Sequence, residues 1–313
     1  MVKKYIIMAG GEYEHWKTPR HLSVVCGEEL MARTIRLLKE NGITDISIST
    51  ENPIFEKFGL PILKHENTYH TKWHKAEGDW CDAFYPTDEP VCYVLGDVYF
   101  SDEAIKTIVE TETDDIELFG SIPPFASNYI KNHIEAFALK VQDVDHFKKS
   151  LEKTRELDKQ GKFWRKPIIW ELWTVITNTP LQTNKDDYTY NYYKINDYTC
   201  DIDWAEDIKK LERVVIQDKI AKGEIEMVKV QVTEEFTLAK FNELYNLERA
   251  GHGTYGKLNV GDKFECTKEM AEYLTGKNPI NRAVVKVIEI IPETKPTETT
   301  KPTFKAKNKK KKK

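Results

Sequence analysis

The sequence predicts a doubly wound α/β domain built on a mixed sheet, followed by a second, small β-rich domain. Three observations carry that expectation. Tyr5-Ile6-Ile7-Met8 is an apolar run that stops at Ala9-Gly10-Gly11, the pattern of a buried parallel strand feeding a tight loop. Apolar strand-like runs then alternate with helix-like segments over residues 1–224, as in open α/β sheets. A second continuous apolar run, Val91-Cys92-Tyr93-Val94-Leu95, fits a strand covered on both faces and ends in Gly96-Asp97.

The elements follow in order. Glu28 to Asn41 reads as a helix whose apolar face is Leu30, Ile35, Leu37 and Leu38, with Gly42 placed to end it. Ile43, Ile46 and Ile48 mark a strand, and Leu60-Pro61-Ile62-Leu63 a short one. Ser101 is expected to cap a helix running through Val109. Strands are expected at Ile116–Gly120, Glu135–Val141 and Tyr188–Ile195, some of them antiparallel, and helices at Val144–Lys159 and Trp204–Lys222.

Near Met227 the pattern changes. Met227–Val232, Gly261–Glu265 and Ala283–Ile291 read as strands, and Thr267–Leu274 as a short helix. The expected division is therefore 1–224, a β-rich module at 225–291, and a disordered Lys-rich tail at 292–313.

Composition narrows the function. The formal net charge is −4, but residues 292–313 carry nine lysines against two glutamates, leaving the rest at −11. An acidic body argues against a nucleic-acid-binding surface, except through the basic tail. The five cysteines are scattered without CxxC spacing, so neither a disulfide framework nor a thiolate zinc site is indicated and a cytoplasmic location is expected. No apolar stretch approaches membrane-spanning length.

Ligands of such sheets bind beyond the carboxyl ends of the strands, so Ala9-Gly10-Gly11 is a candidate phosphate loop, with Lys17 and Arg20 supplying positive charge beside it. Asp97 ends a buried strand at the same edge, where a hard cation such as Mg²⁺ would find an oxygen ligand; a turn or capping aspartate is the alternative. Asp201 and Asp203, at i and i+2, share a face if extended, and either joins Asp97 at one Mg²⁺ or, for Asp203, caps the next helix. His65, His70, His74 and Cys81 offer zinc-type donors without an HExxH or CxxC frame, so zinc is disfavoured. Trp73, Trp80 and Tyr85 are candidates for an aromatic pocket, against the commoner role of aromatics in cores.

Taken together, these motifs resemble the nucleotidyltransferases of the sugar-phosphate pyrophosphorylase type, which have a GT-A-like fold. The resemblance runs through Met8-Ala9-Gly10-Gly11, Pro19-Arg20, Gly27 to Ile35 and Asn41 to Ile46, then Gly96-Asp97, then Asp201-Ile202-Asp203-Trp204-Ala205-Glu206-Asp207-Ile208. It implies transfer of a nucleoside monophosphate from an NTP to a small phosphorylated acceptor, with pyrophosphate released. It also implies Mg²⁺ on Asp97 and Asp203, with Asp201 beside them. The Ala9–Gly11 backbone and Arg20 would lie on phosphate oxygens, and Asp79 on the base or ribose. The chain departs from the family at Glu12-Tyr13-Glu14-His15-Trp16-Lys17, where a Gly-Thr-Arg is usual and Lys17 is the candidate replacement. Two other functions stay open: a GT-A glycosyltransferase using a nucleotide sugar, and a non-catalytic virion or assembly protein. Residues 261–276 resemble short modules of bacteriophage-encoded proteins, which implies a protein partner for 225–291.

Overall fold

A computed structural model describes residues 2–10, 16–65, 67–72, 75–125, 134–181, 191–237, 257–277 and 283–290. The chain divides into two compact units, residues 1–214 and 215–313.

In the first unit, β1 (Lys4–Met8) leads through a 3₁₀ turn at Arg20–Leu22 to a small hairpin, β2 (Val24–Val25) and β3 (Glu28–Glu29). Helix α1 (Leu30–Glu40) and strand β4 (Asp45–Ser49) follow, then β5 (Ile62–Leu63) and a second hairpin, β6 (His70–Lys72) and β7 (Lys75–Glu77). Next come β8 (Val91–Leu95), β9 (Val98–Tyr99) and α2 (Asp102–Glu110). The unit continues with β10 (Ile116–Ser121), β11 (Glu135–Val141), α3 (Val144–Lys159), α4 (Ile169–Ile176), β12 (Tyr193–Lys194) and β13 (Cys200–Asp201). Helix α5 (Ala205–Ala221) contains the division between the units.

Seven strands form the main sheet in the order β12-β10-β11-β8-β1-β4-β5. β1 lies parallel to both β4 and β8, and β4 parallel to β5. β11 reverses direction against both β8 and β10. The sheet is thus mixed, with its antiparallel part in the second half of the domain, as the sequence predicts.

Alternation along each strand explains why the central strands are apolar throughout. Tyr5, Ile7, Cys92 and Val94 enter one core with Met31, Leu38, Ile105 and Ile108 of α1 and α2. Ile6, Met8, Val91 and Tyr93 enter the other with Phe147, Trp170, Leu172 and Trp173 of α3 and α4. A strand covered on both faces has no polar side to present.

Several expectations are met closely: β8, β11 and α3 fall where the sequence places them. Ser101 caps α2, its Oγ accepting from Ala104 N at 2.9 Å. Others shift. The first helix starts at Leu30 rather than Glu28, because Glu28 and Glu29 pair with Val25 and Val24. Of the strand expected at Tyr188–Ile195 only Tyr193–Lys194 is seen, and residues 182–190 lie outside the described residues. Helix α4 has no sequence counterpart. All but Val175 of its residues are buried, so it lacks the polar stripe that betrays a surface helix.

In the second unit, β14 (Met227–Val232), the short pair β15 (Phe236–Thr237) and β16 (Lys257–Leu258), β17 (Lys263–Thr267), α6 (Lys268–Leu274) and β18 (Val285–Ile290) follow in order. Their main sheet is antiparallel, ordered β17-β14-β18. Val228, Val230 and Val232 alternate inward against Phe264, Cys266, Met270 and Leu274. Thr267 caps α6 through Met270 N at 3.2 Å. The expected tail at 292–313 lies outside the described residues. Among the described residues, no helix is long and apolar enough to cross a membrane.

Candidate active site

Strand β8 ends beside β1, and Gly96 extends the ladder by donating its N–H to Met8 O at 3.0 Å. A Cβ at Gly96 would sit 2.8 Å from that carbonyl oxygen and 3.0 Å from His21 Cδ2, so only glycine fits. This close approach delivers Asp97 to the carboxyl-terminal edge of the sheet. The chain then pairs β9 antiparallel with β13, setting Val98 opposite Asp201, and Asp97 O accepts from Ile202 N at 3.1 Å. Two segments far apart in sequence are thereby fastened together, and their carboxylates converge.

The group they converge on is Arg20. Its side chain is 5% exposed. Nη2 pairs with Asp97 Oδ2, and Nη1 lies 2.6 Å from Asp203 Oδ1, 3.3 Å from Ile202 O and 4.0 Å from Asp201 Oδ1. Trp16 Nε1 donates to Asp203 O at 3.0 Å, tying the chain before Arg20 to the same segment.

Glu135 is the fifth charged member and was not singled out from sequence. It opens β11, which runs antiparallel to β8, so its carboxylate arrives at the same edge. Its Oε2 accepts from Asp201 N at 2.9 Å. The available signal was an acidic residue opening an otherwise largely apolar strand, Glu135-Ala136-Phe137-Ala138-Leu139.

The electrostatics follow from burial and crowding. Burial pushes the Asp201 carboxyl well above the usual carboxylate range; the charges of Asp203 and Asp97 push it further, and Arg20 opposes them. Burial also drives Glu135 up to about 8, against the pull of the Asp201 N–H. His21, buried beside Phe55, is pushed down to about 4 chiefly by burial and stays neutral at pH 7.

These residues line one wall of a cleft of about 220 Å³. Met8, Gly10 and Ser49 form its floor at the ends of β1 and β4, and Trp80, Ile168 and Trp170 supply apolar surface. Gly10 packs against Asn67, whose Nδ2 would lie 3.0 Å from a Cβ there. Ala9 is held by the sheet, its N–H donating to Ser49 O at 2.9 Å and its carbonyl accepting from Thr50 Oγ1 at 2.8 Å.

The structure therefore brings together Gly10, Arg20, Asp97, Asp201 and Asp203. It does not bring in Asp79, which caps the 3₁₀ turn Trp80–Ala83 through Cys81 N and takes the Arg155 Nε at 2.6 Å. Arg155 also reaches Asp82 at 2.8 Å, so Asp79 belongs to a bridge that fastens this turn to α3. Lys17 is exposed and outside the cleft lining, and Gly11 lies outside the described residues. Of the three expected pocket aromatics, Trp80 lines the cleft. Tyr85 instead accepts from Tyr93 Oη through its carbonyl, and Trp73 lies outside the described residues. The side chains of His70 and His74 are likewise outside them.

A hard divalent cation suits this donor set in kind: Mg²⁺ takes oxygen ligands, often one or two carboxylates plus substrate phosphates. Asp201 Oδ1 is buried with no hydrogen-bond partner among the described residues, which leaves one acceptor unmet. Arg20 stands between the carboxylates, and among the described residues no three His, Cys, Asp or Glu side chains are spaced to hold a metal on their own. The fit is to a metal that arrives with further oxygen ligands.

No protein-family model matches the sequence, and no curated protein matches it. Among solved structures, the chain is similar to one described as a glucose-1-phosphate thymidylyltransferase from Bacillus anthracis, in complex with a sucrose. That likeness has 17% identity and a TM-score of 0.45 over 67% of this chain and 94% of the other. It is also similar to the inositol-1-phosphate CTP transferase from T. maritima, at 13% identity and a TM-score of 0.43 over 70% of this chain and 96% of the other.

Proposed function

We propose that the chain is a Mg²⁺-dependent nucleotidyltransferase that moves a nucleoside monophosphate from an NTP to a small phosphorylated acceptor. One observation carries this reading: Asp97, Asp201 and Asp203 converge at the carboxyl-terminal edge of a mixed sheet, in the cleft that also contains Gly10.

In the proposed reaction an acceptor phosphate oxygen attacks the α-phosphorus, the bond to the bridging oxygen breaks, and pyrophosphate leaves. A phosphate monoester is already ionised near neutral pH, so no general base is required and the protein's task is to position and to offset charge. Asp97 and Asp203 would hold the cation, with Asp201 beside them. The Gly10 backbone would carry phosphate oxygens near the end of β1. Arg20 provides a planar fork suited to phosphate, and Trp80 and Trp170 wall the cleft against water. A bound Mg²⁺ would supply the charge that neutralises the phosphate oxygens and aligns the displacement.

Such substrates place the protein in the cytoplasm, and the β-rich module at 225–291 is the part we assign to a protein partner. The presence of Arg20 among the carboxylates favours one rival, a non-catalytic protein whose cation is built in.

Pyrophosphate release, measured over a panel of NTPs and sugar, inositol and amino-alcohol phosphates, tests the proposal. Mg²⁺-dependent release with one pair is the expected result. Hydrolysis of a nucleotide sugar without any release would replace the reading with a glycosyltransferase, and nucleotide binding without turnover would replace it with the non-catalytic protein.

A further inference from the structure

We infer that Arg20 is an internal counter-cation that holds the three carboxylates in binding geometry and competes with a divalent cation for the same oxygens. The inference rests on the proposed function only for the identity of the nucleotide that accompanies the metal.

The geometry sets Arg20 between the carboxylates. Its guanidinium is almost wholly buried, and its two terminal nitrogens reach carboxylates on separate chain segments, Asp97 after β8 and Asp203 before α5. A further bond to Ile202 O fixes its plane. Bringing several carboxylates together is unfavourable unless a cation lies among them, and Arg20 is a cation that touches Asp97 and Asp203. Among the described residues Asp201 Oδ1, 4.0 Å from Nη1, has no hydrogen-bond partner.

Arg20 engages one oxygen of Asp97 and one of Asp203, so a divalent cation drawing on the same two carboxylates would meet the guanidinium charge beside it and compete with it. Metal alone must displace the guanidinium from Asp97 and Asp203. Metal arriving with a nucleotide brings phosphate oxygens to which the released fork can turn. Occupancy by metal and by nucleotide is then coupled, and the coupling is reciprocal. Arg20 would keep the nucleotide-free site closed to metal and become a phosphate ligand in the loaded one, a role distinct from a fixed phosphate contact.

The test is Mn²⁺ binding to the nucleotide-free protein, followed by electron paramagnetic resonance, in wild type, Arg20→Met and Arg20→Lys. The expected result is Mn²⁺ binding at least tenfold tighter in Arg20→Met than in wild type. Arg20→Lys, which keeps the charge and loses the fork, should fall between them. In EDTA Arg20→Met should melt at a lower temperature than wild type and recover on adding Mn²⁺. Equal or weaker Mn²⁺ binding in Arg20→Met overturns the inference. Should that variant not fold even with Mn²⁺, Arg20→Lys decides, and an affinity no tighter than wild type overturns it. Pyrophosphate release is read separately: its absence with every substrate pair defeats the proposed function and leaves the Mn²⁺ competition intact.

Discussion

The two ends of strand β8 each hold a buried cation, and they are built on opposite terms. Near the amino end, Lys140 lies opposite Cys92 and is 2% exposed. Its Nζ donates to Val109 O at 3.1 Å and Thr111 O at 2.7 Å, at the carboxyl end of α2. Burial pulls its pKa down against the charge of nearby Glu112, and its hydrogen-bond partners are neutral carbonyls at the favourable end of a helix dipole. Beyond the carboxyl end, Arg20 faces three carboxylates, one with an unmet oxygen, on the wall of a cleft. Buried charge alone therefore does not mark a site. Imbalance beside an opening is what distinguishes the proposed one.

The comparison can be broken first at its functional end. Asp97→Ala should lower Mg²⁺-dependent pyrophosphate release by at least ~10²-fold, about 2.7 kcal/mol of barrier, while the folded protein persists in thermal melts. Near-normal release would remove Asp97 from the reaction. At the other end, Lys140→Met strands the buried Val109 carbonyl and the part-buried Thr111 carbonyl, and the former should cost roughly 1–3 kcal/mol of stability. Release per folded molecule should stay unchanged. A fall in activity at equal folded fraction would show that the two ends are not independent.

A third prediction concerns pH. Glu135 is raised from 4.5 to about 8 by burial, so its fold-stabilising contribution is complete below about pH 4.5 and is lost as pH rises through 8. His21 has the reverse sign: lowered to about 4, it costs nothing above about 6.5 and destabilises as pH falls from there to 4. Unfolding free energies measured across pH should show Glu135→Gln reducing the decline between about pH 4.5 and 8, with the part that belongs to Asp201 remaining, and leaving the acid one. A slope unchanged between pH 5 and 8 would contradict the assignment. The smallest effect belongs to the Asp79–Arg155 bridge, which is partly exposed. Asp79→Asn should cost about 0.5–1 kcal/mol without altering NTP affinity in a titration; a large loss of affinity would return Asp79 to the nucleotide site.

Much of the fold was legible because its signals are local. β1 and β8 are continuous apolar runs, Ser101 is a cap three residues before Ala104, and α3 carries a clear polar face. Helix α4 escaped because burial on nearly every side erases the periodicity that marks a helix. Three of the site's carboxylates were legible from strand-end and pre-helix positions. Arg20 was legible as a charge beside the glycine loop but not as their partner, because it lies 183 residues from Asp203. Glu135 meets Asp201 across 66 residues of sequence, so an acidic residue opening a largely apolar strand was the one local signal it gave. Asp79 misled for the converse reason. Its role as a turn cap is local, but the arginine that completes the bridge sits 76 residues on, in α3.

The central claim is that the carboxyl edge beyond β8 takes a metal and a nucleotide together. Anomalous diffraction from crystals grown with Mn²⁺ and a non-hydrolysable NTP analogue tests it most directly. The account predicts a Mn²⁺ peak bound by Asp97 and Asp203 and by phosphate oxygens, with Arg20 turned onto the phosphates. Nucleotide bound without Mn²⁺ near Asp97, or Arg20 still seated between Asp97 and Asp203 in the loaded protein, would contradict it.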